Sequence, residues 1–223
     1  MGKALITRVA EAIEERFEIG TALRKQFEQT VPSHATTWPY CLGGLAFFAF
    51  VIQVVSGILL LFYYKPTAEE AYKSVDFIMK EVPYGWFVRS VHSLGANLFI
   101  ALIILHMIRV FVTGSYKKPR ELHWVSGTLM FIIALMFGFT GYLLPWDQVS
   151  YWATTVGTEM AKSIPPPALG HFLLILLRGG EQVSGDTLTR FFALHVWVLP
   201  TVMVALMGLH FLMIRKTGIS GPL

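Results

Sequence analysis

RSVHSLGANLFIALIILHMIR, residues Arg89–Arg109, is almost entirely apolar but contains two histidines, His92 and His106, which lie fourteen positions apart. A second apolar stretch near the end of the chain contains His195 and His210, fifteen positions apart. Histidines are rare inside membrane spans and usually mark a functional site there, because a polar ring in hydrocarbon costs free energy. Two pairs of histidines on two such spans predict two metal centres stacked through a bilayer.

The composition is typical of a protein with several membrane spans. Hydrophobic residues make up 54% of the 223 residues and charged residues only 14%, whereas soluble domains carry about 25% charged residues. The single cysteine, Cys41, excludes an internal disulfide. The net charge of +4 is modest, and the sequence lacks the basic, aromatic-rich pattern of a nucleic-acid-binding surface, so no nucleic-acid partner is expected.

Four apolar segments are long enough to cross the hydrocarbon core, which takes about 20 helical residues. They are Pro39–Tyr64, Tyr84–Thr113, Leu122–Leu144 and Phe191–Ile214. The sequence therefore predicts an all-α membrane protein, with a four-transmembrane-helix bundle in residues 39–223.

Residues 1–38 are interpreted as an N-terminal surface segment. Within residues 4–28, apolar side chains recur at every fourth position between charged ones, which predicts an amphipathic helix lying on the membrane surface. The alternative is a soluble helix docked on a partner.

The connections between the spans are more polar. Lys65–Pro83 is predicted to be a polar loop of about 20 residues. The long connection at 145–189 contains two apolar pieces, Tyr151–Ala161 and Ala168–Leu177, on either side of three consecutive prolines. These pieces predict short surface helices between spans three and four.

The basic residues predict the orientation of the chain in the membrane. Four spans place both termini on the same side as the short basic loop Lys117–Arg120, and that side carries eleven lysines and arginines against seven on the other. Because short loops rich in lysine and arginine stay in the cytoplasm, the termini should face the negative, cytoplasmic side. The connection at 145–189 should then face the positive side.

Alternating spans also predict which histidines meet. The second and fourth spans run parallel, so His92 should lie at the depth of His195, and His106 at that of His210. The two levels should be separated by about 21–22 Å at a rise of about 1.5 Å per residue. Intervals of fourteen and fifteen positions return to within about 40° and about 60° of one helix face, and mild supercoiling would close most of that gap.

Two neutral nitrogen ligands from opposite sides suit haem iron. Zinc would need three or four protein ligands, and each level offers only two histidines with no nearby Cys, Asp or Glu. We therefore expect His92, His106, His195 and His210 to be axial ligands of haem iron. The alternative is that each histidine only forms a hydrogen bond with a neighbouring helix.

The two spans without paired histidines carry glycines at a matching interval. Gly43 and Gly57 lie fourteen positions apart on the first span, and so do Gly127 and Gly141 on the third. Because glycine lets a backbone approach a ligand closely, the shared interval favours clearance for haem at two levels. Ordinary packing of small residues between membrane helices is the alternative.

Arg89 and Arg109 lie near the ends of the second span. Each could pair with haem propionates, since guanidinium groups match carboxylates, or could instead anchor the span by reaching to the membrane surface. The remaining histidines, His34, His123 and His171, lie outside the spans or at their edges and are interpreted as solvated surface residues.

Several motifs resemble a known family, and they extend over nearly the whole chain. Besides the paired histidines they are Tyr40-Cys41-Leu42-Gly43-Gly44, Lys117-Lys118-Pro119-Arg120-Glu121-Leu122, Gly141-Tyr142, Pro145-Trp146-Asp147-Gln148, Thr187-Leu188-Thr189-Arg190-Phe191, and Phe211-Leu212-Met213-Ile214-Arg215-Lys216 running to Leu223. The sequence resembles cytochrome b of quinol–cytochrome c reductase complexes, in its short, split, b6-like form. The interval of fifteen positions from His195 to His210 also resembles the split form.

This resemblance implies a set of cofactors. A low-potential haem b near the positive side would be held by His92 and His195, and a higher-potential haem b near the negative side by His106 and His210. In the split form, the position of Cys41 carries a third haem, of type c, through a single thioether bond. A buried, inert thiol is the alternative for Cys41.

The resemblance also implies two quinone sites. Pro145, Trp146, Asp147 and Gln148, with the short helix after them, would contribute to quinol oxidation on the positive side. The family's other contribution, a Pro-Glu-Trp-Tyr segment, is expected from a second membrane chain that resembles subunit IV. Quinone reduction would take place near the Cys41 haem, with Arg215 and the N-terminal helix close by.

The implied function is a subunit of a proton-translocating oxidoreductase that carries electrons from quinol on the positive side to quinone on the negative side, as in the Q cycle of respiratory and related chains. The implied partners are a Rieske iron–sulfur protein, a c-type cytochrome or plastocyanin-like acceptor, the lipid of a plasma or thylakoid-type membrane, and a second copy of the complex in a homodimer. The alternative is a dihaem b-type membrane anchor of a dehydrogenase or hydrogenase, without electron bifurcation.

Overall fold

The computed structural model describes residues 32–221, so the predicted surface helix at 4–28 lies outside the described residues. All regular structure in residues 32–221 is helical. The α-helices are α1 (Trp38–Leu61), α2 (Ala71–Lys80), α3 (Gly85–Val112), α4 (Glu121–Leu143), α5 (Gln148–Lys162), α6 (Pro167–Arg178), α7 (Gly185–Ala193) and α8 (Leu199–Thr217). A 3-10 turn at Ser33–Thr36 precedes them, and a π-helical turn at Leu194–Val198 joins α7 to α8.

The prediction of four membrane spans is confirmed. Helices α1, α3 and α4, and the continuous helix Gly185–Thr217, are long and apolar enough to cross a membrane. Large apolar side chains on these helices point outward, for example Phe48 on α1 and Leu94 on α3, which are 63% and 68% exposed. In water such exposure would be costly, but in lipid it is the favourable arrangement. The chain is therefore a multi-pass integral membrane protein.

The interpretation of Lys65–Pro83 as a polar loop is wrong, because this connection contains helix α2. Ala71, Ser74 and Ile78 are buried on one face of α2, at the spacing of three to four positions that a helix requires. The opposite face is charged, and Lys80 Nζ lies 2.7 Å from Asp76 Oδ1. A helix of ten residues is too short to be stable alone even though its apolar residues recur at helical spacing, so the tertiary contact of this face decides the structure.

The two surface helices expected between spans three and four are present as α5 and α6. Arg178 joins them, and only 2% of this residue is exposed. Its guanidinium donates to Thr158 Oγ1 (2.7 Å), Thr155 O (2.8 Å), Glu159 Oε1 (3.0 Å) and Glu181 O (2.7 Å). Thr187 on α7 donates to Arg178 O, so one buried arginine fixes all three helices of this connection.

The long helices pack as two antiparallel pairs, α1 along α3 and α4 along α8. An apolar cluster of Ala49, Phe50, Phe99, Ala134 and Met203 lies between them. Phe99 is seven positions from His92 and seven from His106, so the cluster lies midway between the two histidine levels. Its rings are close together, with 5.8 Å between the centroids of Phe50 and Phe99. A dry apolar layer therefore separates the two levels.

Candidate functional site

His92 on α3 and His195 in the π-helical turn face each other. Their ring centroids are 6.2 Å apart and their planes are inclined at 73°. Two metal–nitrogen bonds of about 2 Å, with about 1.2 Å from each nitrogen to its ring centre, would separate the centroids by about 6.4 Å. The observed separation therefore fits one metal ion between two axial imidazoles.

The π-helical turn explains how His195 and His210, fifteen positions apart, come to lie on one face. Leu199 N–H donates to Leu194 O, five positions back, and Pro200, the next residue, has no N–H to continue the α-helical pattern. A π-helix turns by roughly 80° per residue instead of about 100°, so the three steps from 195 to 198 remove about 55–60°. In a regular α-helix, fifteen positions exceed four full turns by about 60°. The π-helical turn removes this excess rotation, so a local change of helix type, rather than supercoiling, aligns His195 with His210.

His106 and His210 form the second level. The ring of His123 lies beside His210, with 5.9 Å between their centroids. His123 is half-buried and its Nε2 is 3.1 Å from Thr217 Oγ1. The interpretation of His123 as a solvated residue is therefore wrong, because the end of α8 covers it. His171 is exposed, at 3.6 Å from Glu181, and His34 is half-buried near the start of the described residues.

Each of the four spaced glycines lies against a different one of these imidazoles. A Cβ atom at Gly141 would lie 2.6 Å from His195 Cε1, and one at Gly43 would lie 2.9 Å from His106 Cε1. The corresponding distance is 3.2 Å from Gly57 to His92 and 3.8 Å from Gly127 to His210. The interval of the glycines thus matches that of the histidines because each glycine gives room to one ring of its neighbouring antiparallel helix.

Three hydroxyl groups contact the histidines, and sequence reasoning did not identify them. Ser56 Oγ lies 2.9 Å from His92 Nδ1, Thr140 Oγ1 lies 3.1 Å from His195 Nδ1, and Ser126 Oγ lies 2.8 Å from His210 Nδ1. Each hydroxyl residue directly precedes one of the spaced glycines. The recurring Ser-Gly or Thr-Gly pair was therefore a signal available in the sequence.

These contacts favour the histidine tautomer that a metal needs. Each hydroxyl has one proton, and each also lies within hydrogen-bond distance of a carbonyl of its own helix, such as Ile52 O at 2.6 Å from Ser56 Oγ. When the hydroxyl donates to that carbonyl it accepts from Nδ1–H, and Nε2 keeps its lone pair. A partner on the far nitrogen is typical of metal-bound histidines, because it fixes the ring orientation.

His106 differs from the other three histidines. The residue before its glycine is the apolar Leu42, and His106 Nδ1 is buried with no hydrogen-bond partner within the described part of the chain. The two levels are therefore unequal: both imidazoles have a hydroxyl partner at the His92–His195 level, and only His210 has one at the other.

The donor set fits haem better than a metal held by protein ligands alone. Among residues 32–221, no group of three or more His, Cys, Asp or Glu side chains could hold a metal ion. Paired imidazoles, glycines that give them room and hydroxyls that orient three of them are consistent with bis-histidine ligation of haem.

Basic side chains surround the His106–His210 level. The guanidinium of Arg109 lies 3.8 Å from the ring centroid of Tyr40, the residue before Cys41, and donates to Ser220 Oγ at 3.5 Å. Arg120 donates to Thr217 O at 3.4 Å. Both arginines keep a buried Nε–H without a partner among the described residues. Arg120 is not among the predicted site residues, because the basic loop Lys117–Arg120 is already explained by the orientation of the chain in the membrane.

The other predicted arginines lie at opposite ends of their spans. Arg89 is half-buried in the second turn of α3, and Arg215 is exposed in the last turn of α8. Cys41 is half-buried in the first turn of α1, two positions before Gly43 and therefore close to the His106–His210 level.

An apolar groove of about 780 Å³ lies along α5. Of the four residues at 145–148, Gln148 lines it, followed by Val149, Trp152, Ala153, Val156, Gly157 and Met160, with Phe139 from α4. Asp147 caps α5 by accepting from Ser150 N at 2.8 Å. Trp146 adopts a left-handed conformation with φ of 55°, which costs about 1–2 kcal/mol, so the turn before α5 is held in an unfavourable backbone conformation.

Comparisons with known proteins agree with this geometry. Residues 26–218 match the family described as Cytochrome b/b6/petB. The chain is 48% identical over 218 residues to cytochrome b6 of Synechococcus elongatus and to cytochrome b6 of Euglena gracilis, covering 98% of this chain and 100% of each relative. It also superposes on a chain of a solved structure described as hyperthermophilic respiratory Complex III, with a TM-score of 0.85 and 38% identity. That match covers 95% of this chain and 56% of the solved one.

Proposed function

Since this chain belongs to the cytochrome b/b6 family, we propose that it is the haem-bearing subunit of a membrane oxidoreductase that oxidises quinol. The single observation that carries the proposal is the opposed pair His92 and His195, with ring centroids 6.2 Å apart inside the bundle. The alternative, a dihaem anchor of a dehydrogenase or hydrogenase, is not favoured by the family to which the chain belongs.

His92 and His195 would hold one haem b, and His106 and His210 the other. When bound, the two haems supply one-electron carriers at two depths of the membrane. The chain's own part is structural and electrostatic. Rigid transmembrane helices fix each imidazole in depth, Gly43, Gly57, Gly127 and Gly141 let the rings approach, and the apolar layer around Phe50 and Phe99 excludes water between the two levels.

Basic groups would bind the propionates of these haems. The buried Nε–H donors of Arg109 and Arg120 suit carboxylate oxygens at the His106–His210 level. Arg89 would serve the other level. Cys41 would carry a third haem, of type c, through one thioether bond, next to the stacked Tyr40 and Arg109. A quinone reduction site, with Arg215 nearby, would adjoin it.

The groove along α5 would form this chain's part of the quinol oxidation site. It is lined by apolar side chains with Gln148 at one end, and apolar walls with few polar groups are typical of sites for such ligands. A partner chain resembling subunit IV, with its Pro-Glu-Trp-Tyr segment, would complete the site. A Rieske iron–sulfur protein and a c-type cytochrome or equivalent acceptor would accept electrons, in a homodimeric, proton-translocating complex.

The basic residues support an orientation with both termini on the negative side of the membrane and residues 145–189 on the positive side. Residues 1–38 as a surface segment and 39–223 as the transmembrane dihaem domain remain a prediction.

Replacement of the candidate ligands tests the proposal. His106→Ala should abolish one of the two b-type haems, measured by redox difference spectra and by haem content per chain, while the other haem remains. His171→Ala is the matched control, because His171 is exposed on α6 and distant in sequence from both levels. If His106→Ala kept full haem content and an unchanged bis-histidine spectrum, the assignment of the ligands would be wrong.

A further inference from the structure

The hydrogen bonds to the four candidate ligands are distributed unequally. Ser56 and Thr140 provide a hydroxyl to each histidine of the His92–His195 level. At the His106–His210 level, Ser126 serves His210 and nothing in residues 32–221 serves His106 Nδ1. The inequality has a simple origin in sequence: three of the four spaced glycines follow Ser or Thr, and Gly43 follows Leu42.

A hydrogen bond from Nδ1 to an acceptor changes what the other nitrogen does to a metal. As Nδ1–H donates, the ring gains anionic character and Nε2 becomes a stronger electron donor. Stronger donation stabilises oxidised iron more than reduced iron, so it lowers the reduction potential. Hydrogen bonding around the axial ligands is one of the means by which a protein sets the potential of haem.

We propose that the hydroxyls of Ser56, Thr140 and Ser126, and the absence of one at Leu42, set the order of the two haem potentials. These are positioning residues, which act on the iron through the histidines. The inference rests on the proposed function, because it needs haem at both levels. The level with two hydroxyl partners takes the lower potential, and the level with one takes the higher.

The basic side chains act in the same direction, so they must be separated from the hydroxyls in any test. Arg109 lies three positions after His106 on α3, and positive charge favours the reduced, less positive haem. The groups that face the His106–His210 level from the neighbouring segments are Arg109 on α3, and Arg120 and His123 at the start of α4. Changing only residue 42 leaves all of them in place.

The geometry permits a gain-of-contact variant. Helices α1 and α3 are antiparallel. Position 42 lies fourteen residues before Ser56 on α1, and His106 lies fourteen residues after His92 on α3, so Leu42 stands in the same register to His106 as Ser56 does to His92. The glycines confirm the register, since Gly57 contacts His92 and Gly43 contacts His106. A serine at position 42 therefore occupies the same place relative to His106 Nδ1.

The experiment is a redox titration of both b-type haems, followed by absorbance, in the intact complex purified with its partner subunits. Leu42→Ser should lower the potential of the His106–His210 haem, and Leu42→Ala is the control for lost volume. Ser126→Ala should raise that potential. The expected change is on the order of tenfold in the ratio of reduced to oxidised haem, which is about 59 mV for one electron.

Thr140 provides an independent matched pair. Thr140→Val removes the hydroxyl at nearly constant volume and should raise the potential of the His92–His195 haem, whereas Thr140→Ser should leave it unchanged. If Leu42→Ser or Ser126→Ala fails to retain haem, this pair decides the question. Equal potentials in fully loaded Thr140→Val and Thr140→Ser would overturn the inference, and so would an unshifted potential in loaded Leu42→Ser. Absence of haem from the unmutated complex would instead contradict the proposed function.

Discussion

Replacing Gly141 with alanine should remove the haem b that His195 would hold, whereas the same replacement at Gly127 on the same helix should not. A Cβ at residue 141 would lie 2.6 Å from His195 Cε1, while one at residue 127 would lie 3.8 Å from His210 Cε1. Ordinary contacts begin at 3.4 Å, so the first substitution requires a movement of 0.8 Å and the second requires none.

The His195 ring has little freedom to move by that amount. Thr140 Oγ1 lies 3.1 Å from its Nδ1, and the ring of Phe137 stands edge-on to it with 5.5 Å between centroids. Overpacking of this kind costs about 1–3 kcal/mol. A functional constellation must also be held within about 0.5 Å of its productive geometry, so a displacement of 0.8 Å would take His195 out of the position needed to hold haem.

The assay is haem b per chain, determined as the pyridine haemochrome after purification of the complex, with difference spectra to identify which haem remains. Gly141→Ala should lose one haem b and keep the other, and Gly127→Ala should keep both. Gly43→Ala and Gly57→Ala should rank between them, since their contacts are 2.9 Å and 3.2 Å. Full haem content in Gly141→Ala, or equal loss in Gly127→Ala, would refute the assignment of these glycines to the imidazoles.

Three further predictions concern other parts of the chain. Deleting Val198 shortens the interval between His195 and His210 to fourteen positions and should leave both haems b bound. Inserting an alanine after Val198 adds about 100° of rotation between the two histidines and should release at least one haem. Retention of both haems by the insertion variant would contradict the role of the π-helical turn. A denaturing gel stained for haem peroxidase activity should show a band near the chain's mass of 25.1 kDa, and Cys41→Ala should abolish this band while leaving the b-type haem spectra intact. A band that survives in Cys41→Ala would exclude a thioether at this residue. Arg178→Met removes the donor from four acceptors, and a buried acceptor left without a partner costs about 1–3 kcal/mol. The thermal midpoint of the complex should therefore fall clearly, whereas Lys80→Ala at the exposed pair with Asp76 should not lower it. Equal midpoints would show that the buried network does not stabilise this connection.

The spans and the histidine pairs were predictable because they depend on length, hydropathy and helical period. About 20 apolar residues cross a membrane whatever their neighbours, and a parallel arrangement of the second and fourth spans follows from alternation alone. The two surface helices α5 and α6 were predictable for a similar reason, since each has an apolar stretch bounded by prolines or polar residues.

The features that the sequence did not reveal depend on contacts between helices. Helix α2 has only ten residues and is stabilised by burying the face that contains Ala71, Ser74 and Ile78. Ser56, Ser126 and Thr140 each directly precede a spaced glycine, but this sequence pattern does not identify their partners, which are the imidazoles that a neighbouring helix brings to them. The π-helical turn is not predicted because neither Pro200 nor the fifteen-position interval between His195 and His210 indicates it alone. Only the two features together show that the helix must change its period near Leu194–Val198.

The arrangement of helix pairs assigns a structural task to the cofactors as well as an electronic one. Each pair contributes a glycine and the imidazole against it at each level: Gly57 with His92 and Gly43 with His106 from α1 and α3, and Gly141 with His195 of the π-helical turn and Gly127 with His210 from α4 and α8. Within residues 32–221, α3 and α8 do not pack closely along each other. A haem held by one histidine from each helix would therefore link the two pairs at two depths, about 21 Å apart. Because a ligand that binds only the folded bundle stabilises it, haem bound by these histidines would also stabilise the packing of the two pairs.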